Sequence, residues 1–206
     1  MKISLGALSV RPRIGNEPFH QSGQNLGFDI AGFWRWAASN LASNVWRGVL
    51  AEYLVARALG LDVDAVVRTE WDACDIRTPN GLRIEVKSAA YVQTWHQRDP
   101  STVRFTIAMK RGWDASTNTT APAPCRDSDV YVFALLAHAD KAALDPLNVA
   151  QWEFFVASAR ALDTTFGTQK SIGLSSLHRL APEPVAFSAL RGAVATAAGV
   201  READVS

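Results

Sequence analysis

The sequence lacks a strong net charge, a long apolar run and any cysteine-rich pattern. Its 206 residues include 21 basic and 20 acidic side chains, so the formal net charge is only +1. A charge this small predicts no global basic field, and any site for a polyanion has to be a local patch. The composition, 48% hydrophobic and 20% charged, is typical of one globular domain with a sizeable core.

Cysteine is scarce, which argues against a disulfide scaffold or a cysteine-based metal site. The two cysteines, Cys74 and Cys125, lie far apart in the chain and have no metal-ligand spacing. Reduced thiols in a cytoplasmic protein are therefore expected. The start, MKISLGALSV, is short and weakly apolar, and Arg11 and Arg13 follow it. We expect neither a signal peptide nor a membrane span.

One helix is predicted strongly. Residues 43–60 carry apolar side chains at helical spacing. Ser43 or Asn44 can cap the start of this helix, and Gly60 can end it. Glu52 lies on the apolar stripe, which is an unusual place for a carboxylate.

The other predicted elements follow the order helices, strands, helices. This order indicates an α/β or α+β fold built in layers. We interpret the whole chain as a single domain. The expected elements are a helix over 29–40 capped by Asp29, strands over 2–10, 63–71, 104–110, 129–138 and 151–158, a hairpin over 74–95, a loop over 111–128, helices over 175–180 and 188–200, the latter capped by Ser188, a tryptophan-rich extension over 1–42 and a flexible tail over 201–206.

The stretch GLRIEVKSAA, residues 81–90, places two opposite charges inside a predicted strand. Side chains alternate between the two faces of a strand, so Glu85 and Lys87 point the same way. Ile84 and Val86 lie on the other face and are typical of a core. An acid and a base together on one face of such a strand suggest a functional site.

The turn TPNGL, residues 78–82, sets the register of the hairpin. Pro79 and Asn80 fit the central positions of a type I turn, and Gly81 fits the left-handed position of a bulge. A three-residue loop is therefore expected. A two-residue Asn-Gly turn is the alternative, and it would shift the register by one residue.

With the three-residue loop, Asp75 lies opposite Glu85 and on the face of Lys87. The alternative register would move Asp75 to the other face, and Asp72 is kept as the second choice. Two opposed carboxylates repel each other, and a hard cation such as Mg²⁺ would relieve the repulsion. A water held by that cation is a candidate nucleophile, which Lys87 is placed to orient. Glu52 could reach the same site from its helix.

The arrangement resembles the PD-(D/E)xK nuclease superfamily, which has the restriction-endonuclease-like fold. The resemblance rests on a helical Glu52, on Asp75 at the opening of a hairpin strand, and on the EVK run from Glu85 to Lys87. It covers roughly residues 43–140, with Cys74 in the place of the usual proline. It implies a three-layer αβββαβ core with a central mixed β-sheet flanked by helices.

The resemblance also implies the chemistry of each position. It makes Asp75 and Glu85 ligands of one or two Mg²⁺ ions, for which Mn²⁺ can substitute. Lys87 becomes the catalytic lysine. Further site residues implied in the same way are the Val86 carbonyl as a third ligand, Glu52 as an auxiliary ligand, and Gln93, which shares the strand parity of Lys87.

Three functions stay open on this basis. The leading hypothesis is a metal-dependent endonuclease that hydrolyses phosphodiester bonds of DNA with a metal-activated water, with a homodimer as one form it could take. The alternative is a catalytically inactive nuclease-fold module that binds nucleic acid or a protein partner, in line with the weak net charge. A hydrolase of another phosphoester would share the site. An exposed Glu85–Lys87 ion pair without function is the plainest alternative.

Overall fold

The computed structural model describes residues 8–70, 73–114 and 117–205. Most of the predicted strand over 2–10 therefore lies outside the described residues. The second-choice ligand Asp72 also lies outside them. Among those described, every helix is too short or too polar to cross a bilayer.

Strands and helices are mixed along the chain. Short 3-10 helices lie at Val149–Gln151, Phe187–Ala189 and Glu202–Val205. The strands and α-helices, in chain order, are β1 (Pro18–Gln21), β2 (Gln24–Asp29), α1 (Ile30–Ala38), α2 (Asn44–Ala58), β3 (Ile76–Arg77), β4 (Arg83–Ala90), β5 (Arg104–Thr106), β6 (Trp113–Asp114), β7 (Thr119–Thr120), β8 (Val130–Leu136), β9 (Trp152–Ser158), α3 (Ala159–Phe166), β10 (Ser171–Gly173), α4 (Leu174–Leu177) and α5 (Leu190–Ala198).

A mixed four-stranded sheet of order β3-β4-β8-β9 forms the centre of the fold. Strands β4 and β8 are parallel, with Ile84 paired to Val130, whereas β3–β4 and β8–β9 are antiparallel. Every residue of β8 is buried. The continuous apolar run predicted as a central strand over 129–138 is therefore confirmed, because a strand covered on both faces needs no polar alternation.

The sheet separates two apolar cores. On one face, Ile84 and Val86 pack with buried residues of α2 and α5. On the other face, alternate residues of β8 and β9 pack against β5, β10, α3 and α4. The result is a three-layer arrangement, in which Glu85 and Lys87 point to the face opposite α2.

The caps of both N-terminal helices are as the sequence predicts. The Asp29 side chain accepts a 2.9 Å hydrogen bond from the Gly32 amide at the start of α1. The Ser43 hydroxyl accepts one of 3.4 Å from the Trp46 amide at the start of α2. Both side chains satisfy amides that have no partner inside their helix.

Several elements differ from the prediction. Residues 63–70 form turns and irregular backbone instead of a strand, and their valines line a pocket instead of pairing. A β1–β2 hairpin lies within the extension predicted over 1–42, and α3 and β10 were not predicted. Helix α5 follows a 3-10 turn and has no side-chain cap, so Ser188 does not cap it.

The order of elements also differs from αβββαβ. Between helix α2 and the crossover to β8, the central sheet has only two strands, β3 and β4, among the described residues. The crossover from β4 to the parallel β8 contains no α-helix within its described residues, 91–114 and 117–129. The mixed sheet between helices is therefore present without the full core order that the resemblance implies.

The C-terminal residues pack against the body instead of forming the predicted flexible tail. Residues Glu202–Val205 form a 3-10 turn, and Val205 is completely buried in the core beside α5. The Arg191 guanidinium donates a 3.1 Å hydrogen bond to the Glu202 carbonyl. The buried Val205 side chain and this hydrogen bond together hold the turn against the body.

Candidate active site

The hairpin of β3 and β4 has the predicted register. Arg77 pairs with Arg83, one step outside the turn. The Thr78 amide donates to the Leu82 carbonyl at 2.9 Å, which closes a three-residue loop. Gly81 has a φ of +85°, the left-handed conformation that the bulge position requires. The three-residue loop is therefore confirmed, and the two-residue alternative is wrong.

Asp75 lies where the ladder between the two strands ends. Its amide donates to the Ile84 carbonyl at 3.1 Å, and its carboxylate Oδ2 accepts a 2.7 Å hydrogen bond from the Val86 amide. The Val86 amide of β4 thus has a side-chain acceptor, Asp75, where a regular ladder would give it a main-chain carbonyl. The regular pair predicted for Asp75 and Glu85 is not formed, but both side chains still line the same pocket.

Glu85 is the most buried charged group of the site. Its side chain is only 2% exposed. Lys110 Nζ lies 3.0 Å from both carboxylate oxygens, and Lys87 Nζ contacts Oε1. The Ser128 hydroxyl donates to Oε2 at 3.3 Å. A buried carboxylate needs such compensation, and here two ammonium groups and a hydroxyl provide it.

These side chains line a pocket of about 580 Å³. It brings together three of the predicted site residues and adds a basic and aromatic wall from the segment that follows β5. The lining residues are Asp75, Glu85, Lys87, Lys110, Arg111, Gly112 and Trp113.

The site shifts the ionisation of two of its groups. Burial, and then the negative charge of Glu85, raise the pKa of Asp75 from its ordinary value of 3.8 to about 6, although Lys87 and the Val86 amide oppose the shift. Burial lowers the pKa of Lys110, but the charge of Glu85 and the hydrogen bonds to it outweigh this effect, and the net shift is upward. The charge of Glu85 therefore disfavours the ionised form of Asp75, and it favours the protonated form of Lys110.

Glu52 is placed differently from the other predicted ligands. Its carboxylate forms an ion pair with Arg68, in which Nη2 lies 2.9 Å from Oε1 and Nε contacts Oε2. This hydrogen bonding raises the pKa of Arg68. Glu52 and Arg68 line a second, mainly apolar pocket of about 590 Å³, and Asp75 lies on the wall that both pockets share.

Gln93 belongs to a separate buried network. Strand β4 ends at Ala90, so the strand parity that linked Gln93 to Lys87 does not extend that far. The Gln93 Oε1 atom accepts from Arg47 Nη1 at 3.2 Å, and its Nε2 donates to the Ala90 carbonyl at 3.0 Å. This network joins the start of α2 to the end of β4.

The donor set suits a cation that takes few protein ligands. Over residues 8–70, 73–114 and 117–205, no group of three or more His, Cys, Asp and Glu side chains is arranged to hold a metal ion. Asp75 and Glu85 are two carboxylates on one pocket. Mg²⁺ is commonly held by one or two carboxylates, with waters and phosphate oxygens completing its shell. The two acids fit that pattern, and a site built from protein ligands alone does not.

Sequence reasoning missed the residues that reach Glu85 from distant segments. Lys110 lies at the end of the predicted strand 104–110, and Ser128 lies at the end of the predicted loop 111–128. The one feature of the sequence that could have drawn attention to Lys110 is the small number of lysines, since the chain has only five. No spacing in the sequence links either residue to the hairpin.

A comparison with family models supports a nuclease. The model described as bacteriophage T4 endonuclease IV matches residues 36–174, about two thirds of the chain, and this range contains the whole pocket. A search of curated proteins and a search of solved structures each found no match. The chain belongs to the bacteriophage T4 endonuclease IV family, a family of nucleases.

Proposed function

We propose that the protein is a metal-dependent DNA endonuclease of the PD-(D/E)xK type. The observation that carries the proposal is the shared pocket of Asp75, Glu85 and Lys87, in which the charge of Glu85 is close enough to raise the pKa of Asp75. Membership of an endonuclease family supports phosphodiester hydrolysis as the reaction, and DNA as the substrate. Pairing of two copies to cut both strands of a duplex is part of the proposal.

Asp75 and Glu85 are the proposed ligands of Mg²⁺ or Mn²⁺, with the Val86 carbonyl as a third. A bound divalent cation would supply an activated water and would offset the charge that develops on the phosphate. The Val86 amide fixes the Asp75 carboxylate, so that this ligand is held in place before any cation arrives. We assign Glu52 an outer role, because its carboxylate is already paired with Arg68.

Lys87 is the proposed catalytic lysine. Its ammonium group contacts Glu85 and lines the pocket, where it can donate to the attacking water or to a phosphate oxygen. Arg111 lies on the same wall and adds a second positive charge for the nucleic-acid backbone. The local basic wall is the kind of patch that a chain of net charge +1 needs for a polyanion.

Cleavage of plasmid and linear DNA with Mg²⁺, with Mn²⁺ and with a chelator tests the proposal. We expect cleavage only with a divalent cation, and losses of about 100-fold or more in Asp75→Asn, Glu85→Gln and Lys87→Met. The matched controls are Asp99→Asn and Lys170→Met, which change exposed side chains of the same types. Cleavage that persists with the chelator, or that is unchanged in the three site variants, would contradict the proposal.

A non-catalytic binding module is the second candidate. It is favoured by the exposed aromatic side chains of the N-terminal hairpin and α1, where Phe19 stacks on Phe28 at 4.9 Å and Trp36 is 84% exposed. It is also favoured by the lysines that already neutralise Glu85. Calorimetry separates the two functions, because a binding module would take up no Mn²⁺ at millimolar concentration.

A further inference from the structure

We propose that Lys110 is a displaceable counter-ion of Glu85, which the divalent cation replaces and which then binds the substrate phosphate. This inference rests on the proposed function and deepens it. It adds a residue from outside the hairpin motif, contributed by the segment between β5 and β6, and it gives that residue a role in coupling cation binding to DNA binding.

The contact between Lys110 and Glu85 uses both carboxylate oxygens. Nζ lies 3.0 Å from Oε1 and 3.0 Å from Oε2, while Lys87 and Ser128 each contact one oxygen. The lone pairs that would bind a cation are therefore directed at protein donors. Since a hard divalent ion needs those oxygens, at least one donor has to leave before Glu85 can serve as a ligand.

Lys110 is the donor best placed to leave. Its side chain is 41% exposed, against 27% for Lys87, and Ser128 is a buried residue. Lys110 also lies outside the central sheet. Within the described part of the chain its backbone pairs only with Cys125, through two 3.0 Å hydrogen bonds at an isolated bridge. Its ammonium group lies on the lining of the pocket, and the flexible stem lets it turn toward bound substrate.

The exchange has a consequence for both ligands. Once a cation neutralises Glu85, the Lys110 ammonium remains in the pocket beside Arg111, where a phosphate oxygen is its natural partner. A bound phosphate in turn draws Lys110 away from Glu85 and opens the carboxylate to the cation. Each ligand therefore strengthens the binding of the other by the same factor.

Binding measurements on the full chain test this inference without relying on turnover. Calorimetry with Mn²⁺ alone compares the wild type with Lys110→Met and with Lys170→Met, an exposed lysine that serves as the matched control. We expect Lys110→Met to bind Mn²⁺ roughly fivefold or more tightly than the wild type, because the competing ammonium is gone. Lys110→Arg keeps the positive charge and should stay close to the wild type.

The coupling is measured separately by fluorescence anisotropy of a labelled DNA oligonucleotide, with and without Ca²⁺ as a probe cation. In the wild type, Ca²⁺ should tighten DNA binding, and in Lys110→Met this tightening should shrink to the level of simple charge screening. Thermal melting of each variant confirms that it is folded before binding is compared. A variant that fails to fold is replaced by Lys110→Gln.

The outcomes separate the two proposals. If Lys110→Met binds Mn²⁺ no more tightly than the wild type while Glu85→Gln loses both Mn²⁺ binding and cleavage, the role of Lys110 is overturned and the nuclease site stands. If the wild type neither binds Mn²⁺ nor cleaves DNA, both proposals fail together. Tighter Mn²⁺ binding in Lys110→Met with loss of the DNA effect supports the exchange.

Discussion

The Val86 amide donates a 2.7 Å hydrogen bond to the Asp75 carboxylate, so a side chain just before β3 takes a backbone partner on β4. The backbone of β4 therefore restricts the Asp75 side chain to one orientation. The same position is buried and faces the charge of Glu85, which raises the pKa of Asp75 to about 6. A carboxylate held in place against its own ionisation is a source of both instability and reactivity.

Asp75→Asn should stabilise the folded protein at pH 7. The wild-type carboxyl has a pKa of about 6 when folded and an ordinary value of 3.8, so burial of its charge opposes folding above pH 6. This rise in pKa corresponds to a loss on the order of 2–3 kcal/mol in the free energy of unfolding at pH 7. Asparagine has no charge and can still accept from the Val86 amide. Urea unfolding at pH 7 measures the difference.

The sign of the effect with pH gives its control. Below pH 3.8 the carboxyl is protonated in both the folded and the unfolded state, so it does not lower the free energy of unfolding there. The free energy of unfolding falls as the pH rises from 3.8 through 6, because the unfolded state loses this proton first. The advantage of Asp75→Asn over the wild type should therefore shrink between pH 7 and pH 4. An advantage that does not change with pH, or that equals the effect of the exposed Asp99→Asn, would contradict this explanation.

Ser128→Ala should weaken the site without unfolding the protein. The Ser128 hydroxyl and Glu85 are both buried, and their 3.3 Å hydrogen bond is the one neutral contact to that carboxylate among the described residues. We expect a loss of about 1 kcal/mol in the free energy of unfolding, measured in urea, and a severalfold loss of cleavage rate. Ser39→Ala, at an exposed helix end, should change neither quantity appreciably.

Gly112→Ala should disturb the basic wall of the pocket. A Cβ at Gly112 would lie 2.5 Å from Asp127 Oδ2 and 3.2 Å from the Ala73 Cβ, so one of the neighbours has to move. We expect a loss of about 1–2 kcal/mol in the free energy of unfolding and weaker DNA binding. In Gly48→Ala the nearest atom, Ser88 Oγ, is 3.9 Å away, and this helical substitution should stabilise the protein by about 0.5–1 kcal/mol.

Gln93→Leu should affect stability more than catalysis. The Gln93 side chain accepts from Arg47, a residue that is only 4% exposed, so the substitution leaves a buried charge with fewer acceptors. We expect a loss of about 2 kcal/mol in the free energy of unfolding, and a cleavage rate per folded molecule close to that of the wild type. A loss of cleavage as large as that of Lys87→Met in a fully folded variant would place Gln93 at the site after all.

The parts of the site that could be predicted are those set by local turn chemistry. The proline, asparagine and glycine of the turn fix the register of β3 and β4, and with it the face that carries Glu85 and Lys87. The contacts that complete the site are not local. Lys110 and Ser128 lie 25 and 43 residues from Glu85 in the chain, and only the folded crossover brings them there.

The same distinction explains the successes and failures of the fold prediction. Strands β8 and β9 and helices α1 and α2 have strong apolar runs or caps, and the sequence predicts them within a few residues. Strand β1 is exposed along its whole length, so it has no alternation to detect. The valines of 63–70 favour a strand by propensity, but the pocket beside α2 uses them as a lining.

The parallel pairing of β4 with β8 has a consequence for how the protein acquires its activity. The connection between β4 and β8 is long, and it must close before β8 can pair with β4. Closure of a long loop is slow compared with hairpin formation. Lys110, Arg111 and Ser128 all belong to that connection. A chain in which this connection has not closed has Asp75, Glu85 and Lys87 on the hairpin without Lys110, Arg111 and Ser128. We therefore expect the complete pocket to form only after β4 and β8 have paired.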